Sequence, residues 1–175
     1  MEVGARHAEA LVVAMGDEGD RVASRFARGC RAFTVLEGQQ IAGYGWLSTG
    51  PEWVGEVADE ISPAPGEAYV WNCVTLPDQR RRGRYRALLE GVIAQARRDG
   101  LRRLWIGSVE DPAEKANTDV GFVTVLNVEV RRLAGLRLIR GWPEPGVDPE
   151  LVAAARKRLS IRTWTRLGLV RHRIH

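Results

Sequence analysis

The residues best suited to chemistry lie in one run, Arg80-Arg81-Arg82-Gly83-Arg84-Tyr85-Arg86. An α-helix opens with about half a positive charge and several N–H groups that lack partners, so each cation placed there costs roughly 0.3 to 1 kcal/mol. This run leads directly into a helical repeat, which puts its arginines where a helix start disfavours them. A bound anion reverses that balance, because backbone N–H groups and guanidinium groups then converge on the same phosphate. Gly83 suits such a seat, since a residue without Cβ lets the backbone approach a ligand closely. The competing reading is a solvated basic turn. Neither a Walker A loop nor a G-x-G-x-x-G turn occurs, so the usual nucleotide cradles do not compete for the role.

The elements around the run give it a frame. Ala68 to Leu76 (AYVWNCVTL) is rich in aromatic and β-branched residues and short enough for a central strand. Tyr85, Leu88, Leu89, Val92, Ile93 and Ala96 then recur at helical spacing and mark one face of a helix ending near Gly100. Leu104 to Gly107 follows as a short strand, which completes a βαβ unit. Upstream, Ala8 to Ala27 reads as two short helices broken at Gly16-Asp17-Glu18-Gly19, with Asp20 as cap of the second. Arg31 to Glu37 and Ile41 to Ser48 alternate around Gly38-Gln39-Gln40 as a β-hairpin. Pro51 to Gly66 is expected to be a long acidic connection of the kind that often carries function. Downstream, the pattern predicts a brief helix within Glu110 to Asp119 and a strand over Phe122 to Leu133 that can continue beyond Gly135. Trp142 to Gly146 reads as a linker. Asp148-Pro149 opens a last helix through Arg158, with a good cap and a first-position proline.

The bulk properties bound the function. A chain of 175 residues has the length of one domain with one core. No stretch approaches the roughly 18 to 20 apolar residues of a spanning helix, and the start lacks the order of a secretory signal. A cytosolic protein with no membrane partner is therefore expected. Cys30 and Cys73 are too few for a disulfide framework and are expected to be free thiols. His7, His172 and His175 are too scattered to suggest a metal site. The formal charge of +4 rests almost wholly on arginine, with Lys115 and Lys157 the only lysines. That bias suits phosphate and equally fits a GC-rich genome. Between Arg31 and Arg80 there is no Lys, Arg or His, while Glu37, Glu52, Glu56, Asp59, Glu60, Glu67 and Asp78 all fall there. In the tail, Arg162, Arg166, Arg171, His172 and Arg173 surround Trp164. Such a segment could bind nucleic acid, but packing over a sheet edge or in a homodimer is the expected use.

Val74 to Leu89, with the arginine turn following a strand and Pro77, resembles the coenzyme A segment of the GNAT superfamily of N-acetyltransferases, whose pattern is (Gln/Arg)-x-x-G-x-(Gly/Ala). Gly121-Phe122 resembles that family's frequent Gly-Phe before its sixth strand, and the order of hairpin, strand, helix and strand also agrees. The resemblance spans roughly Arg31 to Val130. It implies a GNAT-like α/β fold, a mixed twisted sheet flanked by helices. Residues 1–142 would form an acyl-CoA-binding domain, and residues 143–175 a C-terminal extension packed on it. It further implies acetyl-CoA or another acyl-CoA as cosubstrate and direct transfer to a small-molecule or peptide amine in a ternary complex. The main chain of Cys73, Val74, Thr75 and Leu76 would hold the pantetheine arm. Arg81, Arg82, Gly83, Arg84, Tyr85 and Arg86 would hold the pyrophosphate. A backbone N–H near Cys73 or Val74 would polarise the thioester oxygen, and a developing oxyanion needs such a pre-aimed donor. A non-catalytic acyl-CoA sensor, or an enzyme using a carrier-protein or aminoacyl-tRNA donor, are the alternatives.

Two departures stand out. Tyr85 replaces the usual small residue, and Asn117 occupies the place where many members carry a tyrosine proposed to protonate the leaving thiolate. Acyl transfer also needs a neutral amine, and protonation at pH 7 handicaps an alkyl amine by about 4 to 5 kcal/mol. Glu67, Tyr69, Cys73, Asp78, Glu110 and Asp111 are candidates to assist. Strand parity would put Tyr69 and Cys73 on one face, and Tyr69 aligns with the position of a catalytic carboxylate in some relatives. Glu67 could reach the site through water. Glu52, Glu56, Asp59 and Glu60 could attract a cationic amine, and Trp46, Trp53 and Trp71 could wall its pocket. Solvated acids and core tryptophans are the competing reading.

Overall fold

The computed structural model describes residues 1–4, 7–57, 59–109, 113–133, 136–159 and 171–174. The chain divides into two compact units, Met1–Gly50 with Pro65–Leu104, and Pro51–Ala64 with Trp105–His175. The α/β class is as expected.

In the first unit, β1 (Glu2–Val3), β2 (Arg31–Glu37), β3 (Gln40–Ser48) and β6 (Glu67–Thr75) are neighbours in that order, each pair antiparallel. Helices α1 (Ala8–Met15) and α2 (Val22–Ala27) precede the hairpin, joined by a 3₁₀ turn over Gly16–Arg21. Asp20 does not cap α2. The cap position is Arg21, already helical, and no side chain bonds there, because the 3₁₀ turn runs straight into the helix. Helix α3 (Arg84–Arg98) follows β6 and buries Leu88, Leu89, Val92 and Ala96, the face set by the helical repeat. Trp46 meets Phe26 of α2 edge-on at 5.2 Å on one face of the sheet. Gly45, pointing the opposite way, faces Leu88 of α3. Helices therefore cover both faces, which explains why seven consecutive residues of β3 are buried, Ala42 to Ser48.

In the second unit, the acidic connection is not a plain loop. It contains a hairpin of β4 (Glu52–Val54) and β5 (Asp59–Ile61), with Val54 and Ile61 buried. Strand β7 (Arg103–Ser108) carries the chain out of the first unit, and α4 (Ala113–Asp119) follows. Strand β8 begins at Leu126 rather than Phe122 and runs to Leu133. It pairs antiparallel with β9 (Leu136–Pro143), so Trp142 and Pro143 belong to a strand opposite Asn127 and Leu126, not to a linker. Proline is tolerated here because β9 stands at the end of the strand order, on an edge. Helix α5 (Pro149–Arg158) has the predicted cap, with Asp148 Oδ1 accepting from Glu150 N at 2.8 Å. Strand β10 (Arg171–Ile174) pairs with both β7 and β8. Part of the basic tail is thus built into a sheet, while Arg162, Trp164, Arg166 and His175 lie outside the described residues.

Candidate functional site

Strand β6 is extended until Trp71 and then breaks step. Asn72 has φ 45°, in the left-handed region, and the register with β3 slips between Tyr44 and Trp46. On either side of the slip, Trp46 pairs with Trp71 and Tyr44 with Val74, so two residues of β6, Asn72 and Cys73, oppose Gly45 alone. This is a β-bulge. Because side chains alternate faces along a strand, one inserted residue reverses the alternation beyond it. Tyr69 and Trp71 share the face of Ser48 and Trp46, whereas Cys73 shares the face of Gly45. The parity expectation for Tyr69 and Cys73 therefore fails, and the two lie on opposite faces.

The bulge has consequences for Cys73. Its sulfur sits where a Cβ on Gly45 would lie only 2.7 Å away, and burial pushes the thiol up to about 12, partly opposed by a backbone hydrogen bond at Trp46. A shift in that direction favours the neutral thiol, which argues against a nucleophilic role for this partly buried side chain.

Beyond β6, Leu76 N donates to Ala42 O at 3.0 Å, and a short 3₁₀ turn over Pro77–Gln79 leads to the arginines. Arg81 (φ 60°) and Gly83 (φ 71°) are both left-handed. Gly83 is the N-cap of α3, yet no side chain caps that end. The first helical bond runs from Ala87 N to Gly83 O, which leaves the N–H groups of Arg84, Tyr85 and Arg86 outside the intrahelical ladder. A Cβ on Gly83 would meet nothing within 4 Å among the described residues. Arg84 is ion-paired with Glu37, and Arg86 with Glu90 at 2.8 Å. Arg80 reaches Thr75 O at 3.5 Å. Arg81 and Arg82 are exposed and have no partner among the described residues.

The acetyltransferase (GNAT) family model matches residues 8–122, well over half of the chain. The chain belongs to the GNAT family of acetyltransferases. Among solved structures similar to it is the ribosomal-protein-S18-alanine N-acetyltransferase of Escherichia coli, 16% identical, with 99% of this chain and 91% of that one covered and a TM-score of 0.57. A ribosomal-protein-alanine N-acetyltransferase of Brucella melitensis is 14% identical over 100% of this chain and 97% of that one, with a TM-score of 0.56. An aminoglycoside N-acetyltransferase in complex with CoA is 17% identical over 70% and 90%, with a TM-score of 0.50. At these identities the likeness is one of fold. No curated protein sequence matches the chain.

Within this GNAT fold the predicted residues separate into groups. Cys73, Val74, Thr75, Leu76 and Arg81 to Arg86 follow one another along a strand, a turn and a helix start in the first unit. Glu67 opens β6 at 1% exposure, and its carboxylate accepts from Arg103 at 3.1 Å. It is an ion-paired core residue. Tyr69 is buried at 6% and Trp46 at 0%, so Trp46 is a core ring rather than a pocket wall. Trp71 lies beside Trp46, with ring centroids 6.2 Å apart. Tyr85 is half-buried, and its phenol is pushed up by burial and then by the nearby Cys73. Asp78 lies in the Pro77–Gln79 turn of the first unit, and the other remaining candidates belong to the second unit. Asn117 in α4 is fully buried, and its carbonyl accepts from Phe122 N at 3.1 Å at the turn through Gly121. Glu52 is buried, while Trp53 and Glu56 are exposed. Glu110 and Asp111 lie outside the described residues.

Sequence reasoning missed Asn72, Glu18 and Arg25. Glu18 and Arg25 contact Asn72 directly. A signal for the first was present: asparagine is depleted in strands and tolerates left-handed φ, so its place inside AYVWNCVTL marked a bulge.

Proposed function

We propose that this chain transfers an acetyl or other short acyl group from acyl-coenzyme A to a primary amine, by direct attack in a ternary complex. The observation carrying this reading is the start of α3, which no side chain caps, preceded by left-handed Arg81 and Gly83 and flanked by the exposed guanidinium groups of Arg81 and Arg82, which have no partner among the described residues. A helix start that no side chain caps, with neighbouring cations, gains stability from a diphosphate. Arg84 is the weaker candidate of the run, since its charge is already met by Glu37.

The bulge supports the same reading. Asn72 and Cys73 oppose one residue of β3, so the ladder is locally disrupted there, and the peptide that follows left-handed Asn72 carries the Cys73 N–H. In the proposed step the amine nitrogen attacks the thioester carbon, and the carbonyl oxygen gathers negative charge against that N–H. The carbon–sulfur bond then breaks, the sulfur leaves as thiolate, and the nitrogen gives up its proton, which the thiolate takes directly or through water. Asn117 carries no ionisable proton, so its amide can donate a hydrogen bond but cannot act as a general acid. The exposed carboxylates Glu56 and Glu60 favour a cationic acceptor. The decisive experiment follows coenzyme A release from acetyl-CoA across a panel of primary amines, including a peptide with a free N-terminal alanine and a polyamine. Amine-dependent release supports the proposal; release that no amine accelerates contradicts it.

A further inference from the structure

Glu18 lies in the turn between α1 and α2, and its Oε2 accepts from Arg25 Nη2 and from Asn72 Nδ2, each at 2.9 Å. Arg25 is only 4% exposed. Its guanidinium stands 4.6 Å from the Trp71 ring centroid and 5.2 Å from that of Trp46, and its Nη1 reaches Asn72 Oδ1 at 3.4 Å. The Asn72 amide is thereby held at both ends, its nitrogen by Glu18 and its oxygen by Arg25. Asn72 is also the residue whose backbone opens the bulge.

Burying an arginine is costly unless its charge is paired and its N–H groups are used. Here the carboxylate and the two indole faces meet that cost, and what they surround is the side chain of one left-handed strand residue. Asparagine tolerates left-handed φ better than most residues but still adopts it as a minor conformation, and β6 pairs with β3 on both sides of Asn72. We infer that Glu18 and Arg25 are positioning residues: by gripping the Asn72 side chain they hold its left-handed backbone, and so fix the direction of the Cys73 N–H toward the thioester oxygen. This inference rests on the acyl-coenzyme A reading above.

Isotope-edited infrared spectroscopy of acetyl-CoA carrying ¹³C at the thioester carbonyl tests it, with coenzyme A affinity titrated in parallel. Binding to the wild-type protein is expected to lower the carbonyl stretching frequency. Glu18→Ala and Asn72→Ala are expected to lose most of that shift while keeping wild-type affinity for coenzyme A, whose phosphates sit at the α3 end. Asn72→Gly, which adopts positive φ without strain, should retain more of the shift than Asn72→Ala. A cluster that merely packs would lower the melting temperature and leave the frequency alone. A full shift in both alanine variants overturns the inference, as does a wild-type complex without any shift. Arg25→Met extends the series, and if it fails to fold, the partly exposed Glu18 decides the matter. Absence of acetyl-CoA binding by the wild-type protein sinks the underlying reading, an outcome distinct from either alanine result.

Discussion

Gly45 and Cys73 face each other across the bulge so closely that a methyl group on Gly45 would lie 2.7 Å from the Cys73 sulfur and 3.1 Å from Leu88 Cδ2. Gly45→Ala must displace the sulfur, the helix side chain or the bulge itself. The expected loss of stability is about 1 to 3 kcal/mol, the usual range for overpacking a filled core. Urea unfolding of the two proteins measures it.

Cys73 contributes its backbone and not its sulfur, so Cys73→Ala should retain most of the turnover. Native protein at pH 7.5 should also resist alkylation at this position, as mass mapping after iodoacetamide treatment would show, because burial holds the thiol at about 12. The sign for stability follows. The folded pKa lies above the ordinary thiol value of 9.0, so the contribution is complete below that value and is lost as pH rises from there toward about 12. Cys73→Ala should abolish this part of the alkaline destabilisation, which unfolding curves at several pH values would reveal.

Glu67 separates structure from catalysis. With its carboxylate buried against the partly exposed Arg103, Glu67→Ala should destabilise the protein by about 1.5 to 3 kcal/mol, the usual loss for a charge-assisted hydrogen bond whose remaining partner can still reach water. Glu67→Gln should fold better than Glu67→Ala and keep kcat/KM per folded molecule. A large fall in kcat at unchanged stability would restore it as a base.

Much of this architecture was readable from pattern. The helical face of α3, the hairpin of β2 and β3, the β6 strand and the Asp148 cap each follow from a single local rule. What escaped depended on partners distant in sequence. Strands β4 and β5 have three residues each, too few for alternation to register, and exist because they pair with each other. Trp142-Pro143 reads as a linker until Leu126 and Asn127 are opposite it. The facing of Tyr69 and Cys73 was misjudged because parity assumes an unbroken strand, and one left-handed asparagine reverses it. The arginine turn could be identified from spacing, whereas the grip on Asn72 joins residues 54 positions apart.

The acidic hairpin offers a test of acceptor charge. Glu56 and Glu60 are exposed, whereas Glu52 is buried at 4% and so is a poor site to neutralise. The double variant Glu56→Gln, Glu60→Gln should raise KM for a cationic amine several-fold at low salt, with the difference shrinking as salt screens it. Affinity for coenzyme A should not change. An unaltered KM at low ionic strength would remove electrostatic attraction from the account.

The central claim is that a diphosphate binds at the open start of α3. Calorimetric titration of coenzyme A into the wild-type protein and into Gly83→Glu tests it most directly. Gly83 is left-handed with open space beyond it, and a carboxylate there places bulk and like charge in the proposed seat. Saturable binding to the wild-type protein that is lost in a folded Gly83→Glu variant is the predicted result. Equal affinity in the two proteins would contradict the claim.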